Sequence, residues 1–133
     1  MAEKSVDKMV KKVISAAVYI HSQLGPGRKE AIYETALAFE LEKRRLHVQE
    51  HPQFTFQGTS GHFRSFRMDM LVEGQILIDI MVVASIGHVE RNGMWSYLLR
   101  ANKQVGLLLN FGVQKSFRKE GVLRVDLEDA PGK

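Results

Sequence analysis

At 133 residues, with 44% hydrophobic and 26% charged residues, the chain has the length and balance of one soluble globular domain built on a single core. Cysteine is absent, which excludes disulfides and thiolate metal sites and points to a reducing, cytoplasmic setting. Nineteen Lys and Arg against 15 Asp and Glu give a net charge of +4, which tolerates nucleic acid as a partner and reads first as a solubilising surface. No apolar run approaches the roughly 18 residues that span a bilayer, so no membrane partner is expected. The charged start, Met1 to Lys8, lacks the apolar region of a secretory signal.

Ser5 and Asp7 are candidate N-caps for a first helix reaching about Leu24, whose stripe runs through Val6, Met9, Val10, Val13, Ala17 and His21. Gly25-Pro26-Gly27 ends it. The spacing of Ile32, Tyr33, Ala36, Leu37 and Leu41 predicts a second helix over Lys29 to Arg45, with a basic end that suits a helix C-terminus. From about His47 the period changes to two. His47 to His51 and Gln53 to Gln57 read as short strands separated by Pro52, and Phe63 to Val72 and Ile76 to Ala84 as stronger ones. A third helix is expected over Glu90 to Asn102, where Trp95 and Tyr97 read as packing residues. A strand buried on both faces follows at Val105 to Phe111, then a polar loop at Gln114 to Gly121 and a last strand at Val122 to Leu127. Residues 1–128 are read as one domain and 129–133 as a flexible tail. The order ααβββαβ indicates an α/β domain, a central mixed sheet flanked by helices.

Two carboxylates in the central hairpin are unusual. Asp79 interrupts an apolar run, Gln75 to Val83, where an unpaired charge costs several kcal/mol. A three-residue loop, Glu73-Gly74-Gln75, pairs Val72 with Ile76, and counting back sets Asp69 opposite Asp79 and Arg67 opposite Met81. Phe66, Met68, Met70, Val72, Ile76, Ile78, Ile80 and Val82 then form one apolar face, and the aspartates lie on the other. Opposed carboxylates share a proton, take a divalent cation or borrow a basic side chain, with Arg67 nearest.

His21 to Gly27, Gly27-Arg28-Lys29-Glu30-Ala31-Ile32-Tyr33, Phe66 to Val72 and Val105 to Gly112 together resemble the signature of the GxxExxY proteins, a branch of the PD-(D/E)XK nuclease superfamily. The resemblance implies a restriction-endonuclease-like core. It also implies an active site that gathers a helix Glu, a strand Asp and an Asp/Glu-X-Lys from the next strand. In such sites carboxylates hold Mg2+ or Mn2+, which polarises the phosphate and acidifies a water, and the lysine steadies developing charge. Carried over, Glu30, Asp69 and Asp79 are the catalytic and metal-binding carboxylates, and Met81 stands at the lysine position. A thioether has no charge and no donor. Gly93 likewise stands four residues before Tyr97-Leu98, where the family commonly has Gln.

The favoured reading is a catalytically impaired nuclease-like domain, a pseudoenzyme acting as a binding or regulatory module. The alternative is an active Mg2+- or Mn2+-dependent nuclease with a basic residue relocated to Arg67, Arg91, Arg100 or Lys103. The candidate partners are DNA or RNA, another protein, or a second copy of the chain. His47 and His51 read as poor metal ligands because their segment is extended, and His88 as a surface residue near the site.

Overall fold

A computed structural model describes residues 4–129. Helix α1 (Ser5–Leu24) buries Val10, Val13, Ala16, Ala17 and Ile20. Neither Ser5 nor Asp7 caps it: Lys4 holds the cap position without a side-chain bond, and Asp7 pairs with Arg124 at 2.9 Å. Helix α2 (Glu30–Lys43) buries Tyr33, Leu37 and Leu41, and ends two residues before the predicted Arg45, which turns to φ +67°. Seven strands follow: β1 (Val48–Glu50), β2 (Gln53–Gln57), β3 (Phe63–Arg67), β4 (Met70–Val72), β5 (Ile76–Met81), β6 (Val105–Asn110) and β7 (Val122–Asp126). Helix α3 (His88–Ala101) lies between β5 and β6. The expected polar loop before β7 contains a short helix, α4 (Phe117–Glu120), because Phe117 packs into the core and pulls that turn inward.

The main sheet has the order β1-β4-β5-β6-β7, with β5 and β6 parallel and the other neighbours antiparallel. Strands β2 and β3 form a separate two-stranded arm. The arm and the β1–β4 pair are one antiparallel ribbon of unbroken register, with Val48 opposite Val72 at one end and Gln57 opposite Phe63 at the other. Its kink falls at His51-Pro52 and Met68-Asp69, where only two backbone bonds cross, His51 N–H to Asp69 O at 2.9 Å and Met68 N–H to Pro52 O at 3.1 Å. Pro52 has no N–H to give the ladder, and His51 adopts φ +54°, so the ribbon bends there. The expected continuous strand Phe63 to Val72 is therefore two strands.

Helices α1 and α2 cover one sheet face through a core that includes Met70, Val72, Ile76, Ile78 and Ile80. The opposite face is a second core, not a polar surface, with Leu71, Leu77, Met81 and Leu108 packed against Met94 and Leu98 of α3. Phe66 and Met68 belong to this second core, contrary to the simple alternation, because the kink turns their strand over. Met94 lies so close to β6 that a Cβ on Gly106 would stand 2.4 Å from its Sδ, so a side chain there would displace Met94.

Candidate functional site

The loop between the first two helices places Glu30. Tyr33 is fully buried, and its ring stacks on Phe111 at 4.4 Å with the planes 13° apart. Its hydroxyl donates to Gly25 O at 2.5 Å and accepts from Arg28 N–H at 3.0 Å, while Gly27 N–H reaches Phe111 O at 3.3 Å. The Gly27, Glu30 and Tyr33 spacing is thus a fastening: the tyrosine, one turn into α2, ties down the loop that starts the helix. Glu30 is left as the first helical residue, exposed.

The central hairpin places the aspartates. Val72 pairs with Ile76 across Glu73-Gly74-Gln75, with both Glu73 (φ +52°) and Gly74 (φ +67°) left-handed and Gln75 N–H bonded to Val72 O at 3.0 Å. The ladder ends at Met70 opposite Ile78, one residue short of the aspartates. Asp69 is held by Ile80 N–H, which donates to its Oδ2 at 2.6 Å. Partial burial, then the charge of the neighbouring Asp69 carboxyl and hydrogen bonding towards it, then the charge of Glu30, push the Asp79 carboxyl up to about 7. Asp79 thus holds a proton beside the Asp69 carboxyl, with Glu30 close enough to be felt. Among the described residues no three His, Cys, Asp or Glu side chains are grouped closely enough to hold a metal ion by themselves.

Arg67 does not join the pair. It sits on the arm opposite Gln53, and β5 carries Met81 alongside Asn110 of β6. The charges felt by Asp79 are all negative. Lys103 donates to Gly74 O at 2.9 Å, Arg100 lies over the Phe56 ring at 4.8 Å, and Arg91 and His88 are exposed on α3. Met81 follows Asp79 by two residues on the same strand face, 8% exposed, within the second core.

Two residues bear on the site beyond those read from the sequence. His51 pairs with Glu34, one turn after Glu30, and its backbone bonds to Asp69. Glu34 is raised above the usual carboxylate range by burial and then by Asp69, an effect that His51 partly offsets. Only the adjacent Pro52 signals in the sequence that this histidine turns away from a regular strand. Asn110, fully buried, accepts from Val83 N–H at 3.0 Å and from Gly112 N–H at 2.9 Å, and donates to Val83 O at 3.0 Å. It clamps the segment that leaves β5 beyond Met81. A polar residue closing a six-residue buried strand is the signal for it.

A divalent cation suits this donor set in part. Two adjacent carboxylates are a common protein contribution to Mg2+, which keeps waters or substrate oxygens in its remaining positions. The proton that Asp79 holds is what a cation there would replace. Residues 7–125 match the family model described as the PD-(D/E)XK nuclease superfamily. No curated protein and no solved structure matches the chain significantly.

Proposed function

The chain belongs to the PD-(D/E)XK nuclease superfamily, and from that membership we propose that it is a nucleic-acid-binding domain whose metal-dependent cleavage is impaired. Its α/β architecture, a mixed five-stranded sheet flanked by helices, is consistent with a restriction-endonuclease-like fold. The pattern of Gly27, Glu30 and Tyr33, with its fastening role, supports a place in the GxxExxY branch.

The observation that carries the reading is Met81. The position expected to hold a lysine bears a thioether buried among Leu77, Met94, Leu98 and Leu108. Such a side chain neither donates to a water nor offsets charge on a pentacoordinate phosphate. Asp69 and Asp79 would hold Mg2+ or Mn2+, with Glu30 bearing on the pair electrostatically. The bound ion would supply phosphate polarisation and a more acidic water. The protein's own contribution is the fixed carboxylate pair: Ile80 N–H holds Asp69, and the ladder from Met70 to Val72 sets the strand that carries it.

The competing reading is an active nuclease, and His51 favours it. Its imidazole pairs with Glu34, which feels the charge of Asp69, and its backbone N–H bonds to Asp69 O. Plasmid nicking in Mn2+ separates the two. Wild type is expected to show no cleavage above background, and Met81→Lys with Gly93→Gln to gain metal-dependent nicking. Wild-type nicking that disappears in Asp79→Ala overturns the impaired reading; if it disappears in His51→Ala also, it assigns the base.

A further inference from the structure

Arm and third helix meet at a cavity of about 420 Å3 whose chemistry differs from that of the carboxylate pair. Its aromatic members are Phe56, Phe66 and Tyr97. Phe66 stacks on Tyr97 at 5.0 Å with the planes 25° apart, and Tyr97 keeps 36% of its surface exposed. Its charged members are Arg64 of β3 and Arg100 of α3, both exposed. Arg100 lies over the Phe56 ring at 4.8 Å and donates to Ser96 Oγ. Arg64 folds over the hairpin turn, its Nε 3.4 Å from where a side chain on Gly58 would begin. Among the described residues neither guanidinium is paired with a carboxylate.

Two unpaired guanidiniums are forks for phosphate oxygens, and an exposed ring beside them is a stacking platform for a base. The volume lies at the small end of the roughly 300–1,000 Å3 range of ligand pockets, room for one nucleotide and not for a duplex. Arg64 stands five residues before Asp69 along the kinked ribbon, at most about 17 Å away at the usual strand rise. That is a few nucleotides of extended strand.

We propose that Arg64, Arg100 and Tyr97 form a single-nucleotide pocket that anchors single-stranded nucleic acid beside the Asp69–Asp79 pair. The phosphate lies between the two arginines, and the base stacks on the open face of Tyr97. This inference rests on the nucleic-acid reading above, and it assigns that reading a strandedness and a contact surface.

The test is fluorescence anisotropy with labelled oligo(dT) and the full chain, in EDTA so that the carboxylate pair carries no cation. Arg64→Ala and Arg100→Ala are each expected to weaken binding about fivefold, and Tyr97→Leu by about fivefold or more. The double arginine variant is expected to lose more than tenfold and to flatten the salt dependence by about 0.7 per phosphate contact removed. Lys8→Ala, on α1 across the sheet, removes the same charge and is expected to bind like wild type. Unchanged melting temperatures show that the variants fold. Two outcomes overturn the pocket while leaving nucleic-acid binding in place: arginine variants that bind like wild type, or a duplex preferred over the single strand. A phosphoserine peptide bound as tightly as oligo(dT) also overturns it. Wild type that binds neither oligo(dT) nor a duplex overturns both the pocket and the function it rests on.

Discussion

A carboxyl group that titrates near neutrality inside a folded protein is a charge the fold resists. Asp79 has an ordinary value of 3.8 and is pushed up to about 7. A raised pKa means that its contribution to stability is fully present below about pH 4 and is lost as the pH rises through about 7. Asp79→Asn keeps the shape and removes the charge. At pH 8 the variant is expected to be more stable than wild type by roughly 1–3 kcal/mol, and at pH 4 by almost nothing. Denaturant titrations at the two pH values check this, and a gain of equal size at both contradicts it. Met81→Lys tests the same field from the other side. An ammonium two residues along the same strand face offsets the negative charges of Asp69 and Glu30. The Asp79 carboxyl is then expected to titrate at least about one unit lower by carbon-13 NMR. The substitution also inserts a charge into the second core, at an expected cost of roughly 1–3 kcal/mol. Gly93→Gln carries no such burial of charge, and a Cβ there meets nothing within 4 Å, so close packing does not explain that glycine.

Among the elements, the three long helices and the strand Val105 to Asn110 were legible from their buried residues, whereas the short helix α4 was read as a polar loop. Val10, Val13, Ala17 and Ile20 repeat at the helical period, and the six residues Val105 to Asn110 are all buried. The three-residue turn of the central hairpin was legible too, because only that loop sets the two aspartates on one face. The kink was not. Phe63 to Val72 alternates well enough for one strand, and the bend originates across the ribbon, at His51-Pro52. With it went the neighbour of Arg67 and the face of Met68. The second core was hidden for a related reason: Leu71, Leu77 and Met81 read as a partly polar face until α3 is laid on them. Asn110 shows how such an element is held in place. Its amide replaces strand pairing for Val83 and also satisfies Gly112 N–H. Asn110→Ala is expected to cost about 1–3 kcal/mol in chemical denaturation, since these bonds are lost at a fully buried position. A cost below about 0.5 kcal/mol would mean that water takes over the amide's role without penalty.

On the scale of the whole molecule, strand β5 lies third of five in the main sheet, bonded to β4 on one side and β6 on the other, with a core on each face. A ligand that binds Asp79 therefore acts on an element that does not unfold separately from the rest, and its binding free energy reads as global stability. This makes the carboxylate pair testable without any cleavage assay. A divalent cation at Asp69 and Asp79 displaces the proton that Asp79 holds, so its affinity rises as the pH passes through about 7. Mn2+ at ten times its dissociation constant adds about 1.4 kcal/mol by mass action. The melting temperature of wild type in Mn2+, against EDTA, is expected to rise by several degrees at pH 8 and by clearly less at pH 6. Asp79→Asn, already relieved of its buried charge, is expected to show no Mn2+ shift at either pH. The pair and the lysine position are separable in this measurement: a cation held by two carboxylates needs nothing from Met81, so wild type is expected to bind metal even where it does not cut. A shift of the same size in Asp79→Asn would place the ion elsewhere and remove the pair from the functional site.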